Sequence, residues 1–128
     1  MPSLTLAYWC VMAAVALPYA AAYIAKIGSF RSRDNETPRE WAAHQHGWRA
    51  RAMGAQANSF EGLPFFIGAV IIAHQLGAAQ AWLDLLAAAY VLLRIAYVAL
   101  YIKGLGSVRS AVWALAFLVN TAIVFAGR

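Results

Sequence analysis

Polar residues at helical spacing interrupt two apolar stretches of this sequence and could do chemistry there. Asn58 and Glu61 are three residues apart, so on a helix their side chains point from one face. Arg94, Tyr97 and Tyr101 follow one another at three and four residues. This spacing predicts one helical stripe that carries a guanidinium and two phenol hydroxyls.

Arg109 and Ser110 open a third apolar stretch and complete the candidate site. The first turn of a helix favours an anion because its N–H groups are free and its dipole is positive there, and Arg109 adds a full charge. Together the three stretches suit a small zwitterion with several carboxylates. Glu61 would bind an ammonium group, the arginines would bind carboxylates, and Asn58 would bind an amide.

A structural reading of the same residues stays open. Glu61 and Arg94 could pair with each other across a helical bundle, which would make them a structural ion pair. Asn58 could be a hydrogen-bonded bridge between two helices. Spacing alone does not separate these roles from ligand binding.

The composition requires lipid around the helices that position these residues. Of the 128 residues, 63% are hydrophobic and 12% are charged, whereas about 25% is the usual charged share of a soluble domain. Each of four apolar stretches is long enough to cross a bilayer, which takes about 20 residues. We predict an all-α, integral membrane, four-helix up-down-up-down bundle in one domain, residues 1–128, with spans at about 4–27, 48–76, 81–102 and 108–125.

The basic residues predict the orientation of this bundle. The formal net charge is +5, and most basic residues lie in loop 1, the connection 28–47, or at its borders. Lys103 and Arg109 flank loop 3, between the third and fourth spans. By the positive-inside rule, loops 1 and 3 are cytoplasmic and both termini lie on the opposite side. The same distribution argues against nucleic-acid binding, and the N-terminus lacks the basic segment of a signal peptide.

The cysteine and the neighbouring histidines predict no metal site. Cys10 lies in an apolar run with no base near it in sequence, which indicates a buried spectator thiol. His44 and His46 lack a third ligand at a useful spacing. Two further residues carry structural expectations: Asp84 suits the N-terminus of the third span, and Pro64 should kink the second span beside Glu61.

Two segments resemble the signatures of a known family. RARAMGAQANSFEGLPFF resembles the second-helix signature of the MAPEG family, the membrane-associated proteins in eicosanoid and glutathione metabolism. RIAYVALYIKGLGSVRS resembles its other signature, which joins the third and fourth helices. The likeness extends over essentially the whole chain, and the short loop and alanine-rich helices resemble bacterial members.

The resemblance implies a homotrimer that binds glutathione between neighbouring subunits. It implies a membrane-bound glutathione-dependent transferase or peroxidase that acts on lipophilic electrophiles or hydroperoxides, in contact with membrane lipids, in a bacterial inner membrane. Arg109 would stabilise the thiolate. The residues that would hold glutathione are Asn58, Glu61, Arg94, Tyr97, Tyr101 and Ser110.

The sequence departs from the family pattern where further cations are common. Ala57 and Gly54 occupy positions that often carry arginine in glutathione-using members, and Trp113 replaces a frequent tyrosine. Arg51 could reach the missing cation's place from one turn away. These departures favour an alternative function, a non-catalytic MAPEG-fold scaffold or accessory subunit whose pocket is degenerate or occupied by lipid. A small transporter is less well supported, because paired broken helices and an inverted repeat are missing.

Overall fold

The computed structural model describes residues 3–127, and these residues form helices without any strand. The 3₁₀ segment Ser32–Glu36 precedes the short helix α2. The helices are α1 (Leu6–Lys26), α2 (Pro38–Ala43), α3 (Gly47–Gln75), α4 (Gln80–Lys103) and α5 (Gly106–Val124). All except α2 are long and apolar enough to cross a membrane, which confirms the predicted all-α integral membrane fold.

The start of α1 lies beside the end of α3 and the start of α4, at what we call the opposite end of the bundle. Thr5 caps α1 by accepting a hydrogen bond from the N–H of Tyr8, and its Oγ1 lies 2.8 Å from Nε2 of His74. Asp84 accepts a hydrogen bond from the N–H of Ala7 at 3.0 Å. The expectation that Asp84 serves the N-terminus of its own helix was therefore wrong. It lies beyond the first turn of α4 and caps α1 instead, because the bundle places that N–H group next to it.

The basic end of the bundle is made by the last turns of α1 and α4 and the first turns of α3 and α5. Arg49 donates hydrogen bonds to the carbonyls of Ala25, at 2.8 Å, and Ile27, at 2.6 Å. Arg51 donates from Nε to the carbonyl of Ile102 at 2.8 Å. Cations at helix C-termini satisfy free carbonyls and complement the helix dipole. The contacts at both ends are consistent with the predicted up-down-up-down order.

Small residues let α1 pack closely on α3 and α4. Ala7, Ala14, Ala21 and Ala25 of α1 are all buried, as is Cys10. Small side chains are the usual means by which membrane helices approach one another. By contrast α5, which packs on α4 and α3, is the least buried of the four long helices. A groove lies between α3, α4 and α5. Beside this groove α3 remains a continuous helix, although Pro64 lies inside it.

Candidate functional site

The groove between α3, α4 and α5 contains two adjoining cavities, both lined by Asn58 and Trp113. The outer cavity, nearer the basic end, has a volume of about 180 Å³ and is also lined by Tyr97, Arg109 and Ser110. The deep cavity has a volume of about 240 Å³. Its other lining residues are Glu61, Gly62, Phe65, Tyr90, Arg94, Ala116, Phe117 and Asn120.

Arg94 is the buried cation of the groove, and only 4% of its surface is exposed. Its Nη2 donates a hydrogen bond of 2.7 Å to Oδ1 of Asn58, which joins α4 to α3. The guanidinium carbon also lies 4.3 Å from the centre of the Tyr97 ring. A charge at this depth needs such partners, since hydrocarbon offers none. Asn58 therefore does form a hydrogen-bonded bridge between two helices. It also lines both cavities of the groove.

Glu61 lines the same cavity as Arg94 but does not pair with it. The hydrogen bond of Arg94 goes to Asn58, and within residues 3–127 Glu61 has no hydrogen-bond or ion-pair partner. Its side chain is exposed. The suggested structural ion pair is thus not formed, and the carboxylate is free to meet a cationic group that enters the groove.

Arg109 is held at the outer cavity by the two tyrosines of the predicted stripe. Its Nη1 donates a hydrogen bond of 3.1 Å to the hydroxyl of Tyr97. The guanidinium carbon lies 4.3 Å from the centre of the Tyr101 ring. Ser110 is exposed at the same cavity. The first turn of α5 thus presents a positioned cation and a hydroxyl to the groove.

Gly54 explains how Tyr101 comes to lie under Arg109. A Cβ atom built on Gly54 would lie only 2.5 Å from the Tyr101 hydroxyl oxygen and 2.8 Å from its Cζ. Any larger side chain would displace the tyrosine, so α3 has no room here for the arginine that the family often carries. Nor does Arg51 fill that place, because it is bound to the last turn of α4.

These contacts form one network across three helices. Asn58 binds Arg94, Tyr97 lies against Arg94 and Arg109, and Tyr101 lies against Arg109. Neither arginine has a carboxylate partner among residues 3–127. Each guanidinium has five N–H donors, and the protein uses one of them in each case. The groove therefore carries two positive charges with donors to spare, which is an arrangement for binding anions such as carboxylates or a thiolate.

The structure adds two polar residues that the sequence reading missed, Tyr90 and Asn120. Tyr90 precedes Arg94 by four residues and extends the α4 stripe by one turn. Asn120 follows Arg109 by eleven residues, about three helical turns, so both lie on one face of α5. An amide within an otherwise apolar part of the last span was the available signal. Asn120 is 2% exposed, and its Oδ1 has no hydrogen-bond partner.

No metal-binding cluster occurs in the described part of the chain, where no three His, Cys, Asp or Glu side chains come together. Cys10 is a free, buried thiol in α1, away from the groove. The polar groups that line the groove include cations, a carboxylate, amides and phenols.

Comparison with known proteins identifies the family. No curated protein and no solved structure gives a significant match. The model of the MAPEG family matches residues 6–127, which is nearly the whole chain. The protein belongs to the MAPEG family and is a membrane protein of this glutathione and eicosanoid metabolism family.

Proposed function

We propose that the protein is a membrane-bound glutathione-dependent transferase or peroxidase that acts on lipophilic electrophiles or hydroperoxides. The observation that carries this proposal is the network in which Asn58 and Tyr97 position Arg94 and Arg109 at one groove. Glutathione offers two carboxylates, an ammonium group, amides and a thiol. The groove offers two cations, a carboxylate without a protein partner, and an amide, and these match that ligand in charge.

Each residue has a distinct part in the proposed reaction. Arg94 binds a carboxylate with its remaining donors, and Glu61 binds the ammonium group. Arg109, held by the tyrosine hydroxyl, stabilises the thiolate, and the thiol proton leaves to water. In conjugation, a sulfur lone pair forms the S–C bond while the leaving group departs with its bonding pair. An α,β-unsaturated carbonyl instead shifts its π pair toward oxygen and takes a proton at the α carbon.

The peroxidase variant uses the same thiolate. The sulfur attacks the distal oxygen of the hydroperoxide, the O–O bond breaks, and the alkoxide takes up a proton to leave as an alcohol. A second glutathione then reacts with the resulting sulfenic acid, which gives the disulfide and water. Glutathione is thus a cosubstrate, and the lipophilic substrate reaches the groove from the membrane.

The proposal includes the homotrimer implied by the family resemblance and the orientation predicted from the basic residues. The protomer leaves Glu61 and Ser110 exposed at the groove and α5 largely uncovered. A homotrimer would let a neighbouring subunit close the groove over glutathione. The basic end would face the cytoplasm of a bacterial inner membrane, where glutathione can enter the outer cavity directly.

A thermal titration with a matched pair of variants tests glutathione binding. Detergent-purified protein should be stabilised by millimolar glutathione, by about 1.4 kcal/mol when the ligand is at ten times its Kd. Glu61→Gln should keep the stability of the free protein, because Glu61 has no protein partner, and should weaken binding about tenfold. Glu36→Gln, at an exposed position in loop 1, should bind normally. No stabilisation of the wild type at millimolar glutathione would count against the proposal.

Two observations favour the second candidate, a non-catalytic scaffold. Gly54 lies tight against Tyr101, and Arg51 is used as a helix cap, so the cations missing from the family pattern are not replaced. If this candidate is right, glutathione will not stabilise the protein, and lipid or a partner subunit will copurify with it. Conjugation of a generic electrophile would then be undetectable.

A further inference from the structure

The deep cavity contains two polar groups that neither the arginine network nor the proposed glutathione contacts use. Asn120 is 2% exposed, and its Oδ1 is enclosed without a hydrogen-bond partner. Tyr90 is 5% exposed, and its hydroxyl makes no hydrogen bond within residues 3–127. Both residues line the cavity. Buried polar groups are normally paired, so the enclosed amide oxygen of Asn120 calls for a ligand or a water to complete it. Tyr90 brings a second unpaired group, its hydroxyl, to the same cavity.

The Tyr90 hydroxyl is held in place by its ring and by a glycine. The ring stacks on Phe66, with the ring centres 4.2 Å apart and the planes 20° from parallel. A Cβ atom on Gly62 would lie 3.3 Å from the hydroxyl oxygen, so the hydroxyl reaches α3 where that helix has no side chain. Asn120 can turn either end of its amide toward the cavity by rotation about χ2. Both groups can therefore donate to a ligand or accept from it.

An aromatic rim borders the same cavity on its open side. Phe65, Trp113 and Phe117 line the cavity, and 38%, 44% and 46% of their surfaces are exposed. Their rings form a contiguous cluster, with Phe117 5.5 Å from each of the other two ring centres. An alkyl chain could pass between these rings and bring a polar group to Asn120 and Tyr90.

We infer that Asn120 and Tyr90 form a hydrogen-bonding subsite for a hydroxyl group on the lipophilic substrate. A hydroxyl fits because it donates and accepts at once, as both partners do. Eleven residues separate Asn120 from Arg109, about 16 Å along α5 at the helical rise per residue. A substrate that reaches both residues therefore carries its hydroxyl a medium-length alkyl chain away from the carbon or oxygen that reacts at Arg109. This inference rests on the proposed function, because Arg109 is taken as the reacting end.

Two matched electrophiles test the subsite, 2-dodecenal and 12-hydroxy-2-dodecenal, which differ only by the terminal hydroxyl. Wild-type protein with glutathione should show a kcat/KM about tenfold higher for the hydroxylated aldehyde, after the uncatalysed rates are subtracted. Asn120→Leu should lower this preference about tenfold, and Tyr90→Phe, which retains the ring stacking, should lower it severalfold. Thr121→Val, next to Asn120 and outside the cavity lining, should keep the wild-type preference. An unchanged preference in Asn120→Leu, or an equal loss for both aldehydes, would overturn the inference.

A binding measurement separates this inference from the proposed function. If the wild type conjugates neither aldehyde, the proposed function fails, and the subsite is then judged from thermal stabilisation by 1-dodecanol relative to dodecane. Selective stabilisation of the wild type by dodecanol, lost in Asn120→Leu, would support the subsite without catalysis. Equal effects of the alcohol and the alkane on the wild type would overturn it.

Discussion

The hydrogen bond between Arg94 and Asn58 can be tested by replacing both partners with apolar residues of similar size. Asn58→Leu leaves a guanidinium that is 4% exposed without the acceptor it now has at 2.7 Å. Arg94→Met removes the charge and leaves only a neutral amide, which already borders the cavity. The double variant removes both polar groups. The double variant should therefore lose less stability than the two single substitutions together, and somewhat less than Asn58→Leu alone.

The magnitude follows from the charge and the surroundings of the bond. Hydrogen bonds to charged groups contribute about 1.5–3 kcal/mol to protein stability, whereas neutral pairs in membrane bundles average about 0.6 kcal/mol. The Tyr97 ring stays beside the guanidinium in Asn58→Leu, so that contact limits the loss. We expect Asn58→Leu to cost about 2 kcal/mol, Arg94→Met about 1 kcal/mol, and the pair to be coupled by about 1.5 kcal/mol.

Equilibrium unfolding in mixed micelles measures this double-mutant cycle. Ser59→Ala is a suitable control, because Ser59 is next to Asn58 and its hydroxyl is enclosed without a partner. Removing an unpaired buried hydroxyl should leave stability unchanged or slightly higher. The reasoning would be refuted if the stability loss of the double variant equalled the sum of the two single losses to within about 0.5 kcal/mol. The hydrogen bond would then contribute nothing measurable.

Three other predictions concern contacts that position the groove and close the bundle. Gly54→Ala should lower stability by about 1–3 kcal/mol and weaken glutathione binding, because the new Cβ would push Tyr101 from beneath Arg109; unfolding and ligand titrations measure the two effects. Arg51→Ala should cost about 1–2 kcal/mol in unfolding experiments, because it uncaps the last turn of α4. Asp84→Ala should cost about 1 kcal/mol, because α1 loses one of the two side chains that accept from its first turn, and amide hydrogen exchange should increase most in that first turn.

Each of these substitutions has a control in the same molecule. Gly68→Ala, where a Cβ would meet nothing within 4 Å, should be neutral or stabilising. Arg33→Ala removes an exposed loop arginine and should leave stability unchanged. Asp84→Asn keeps an acceptor oxygen and should lose much less than Asp84→Ala. If each control loses as much as its test variant, the assigned contacts do not explain the effects.

Residues within one helix were the part of the site that the sequence could predict. The stripe of Arg94, Tyr97 and Tyr101 follows from helical periodicity. In the structure Tyr97 contacts Arg94, and Tyr101 contacts Arg109, so the stripe lies on the side of α4 that faces the groove. The common face of Asn58 and Glu61 follows in the same way, and both line the deep cavity. The membrane helices themselves follow from the length and hydropathy of each apolar stretch.

The contacts between helices could not be predicted from the sequence, because they depend on which helix ends meet. Arg51 and Asp84 each serve a neighbouring helix rather than the role that their position in the chain indicated. The choice of Asn58 over Glu61 as the partner of Arg94 also depends on the relative rotation of α3 and α4. Asn120 was missed although its amide stands out in an apolar span.

The ultraviolet absorbance of the glutathione thiolate tests the central claim most directly, namely that this groove binds glutathione and that Arg109 stabilises its sulfur as an anion. Wild-type protein at neutral pH should develop thiolate absorbance on addition of glutathione. Arg109→Ala should keep its assembly, as judged by its elution volume, and should lose that absorbance. Absence of the signal in the wild type, or an equal signal in Arg109→Ala, would contradict the account.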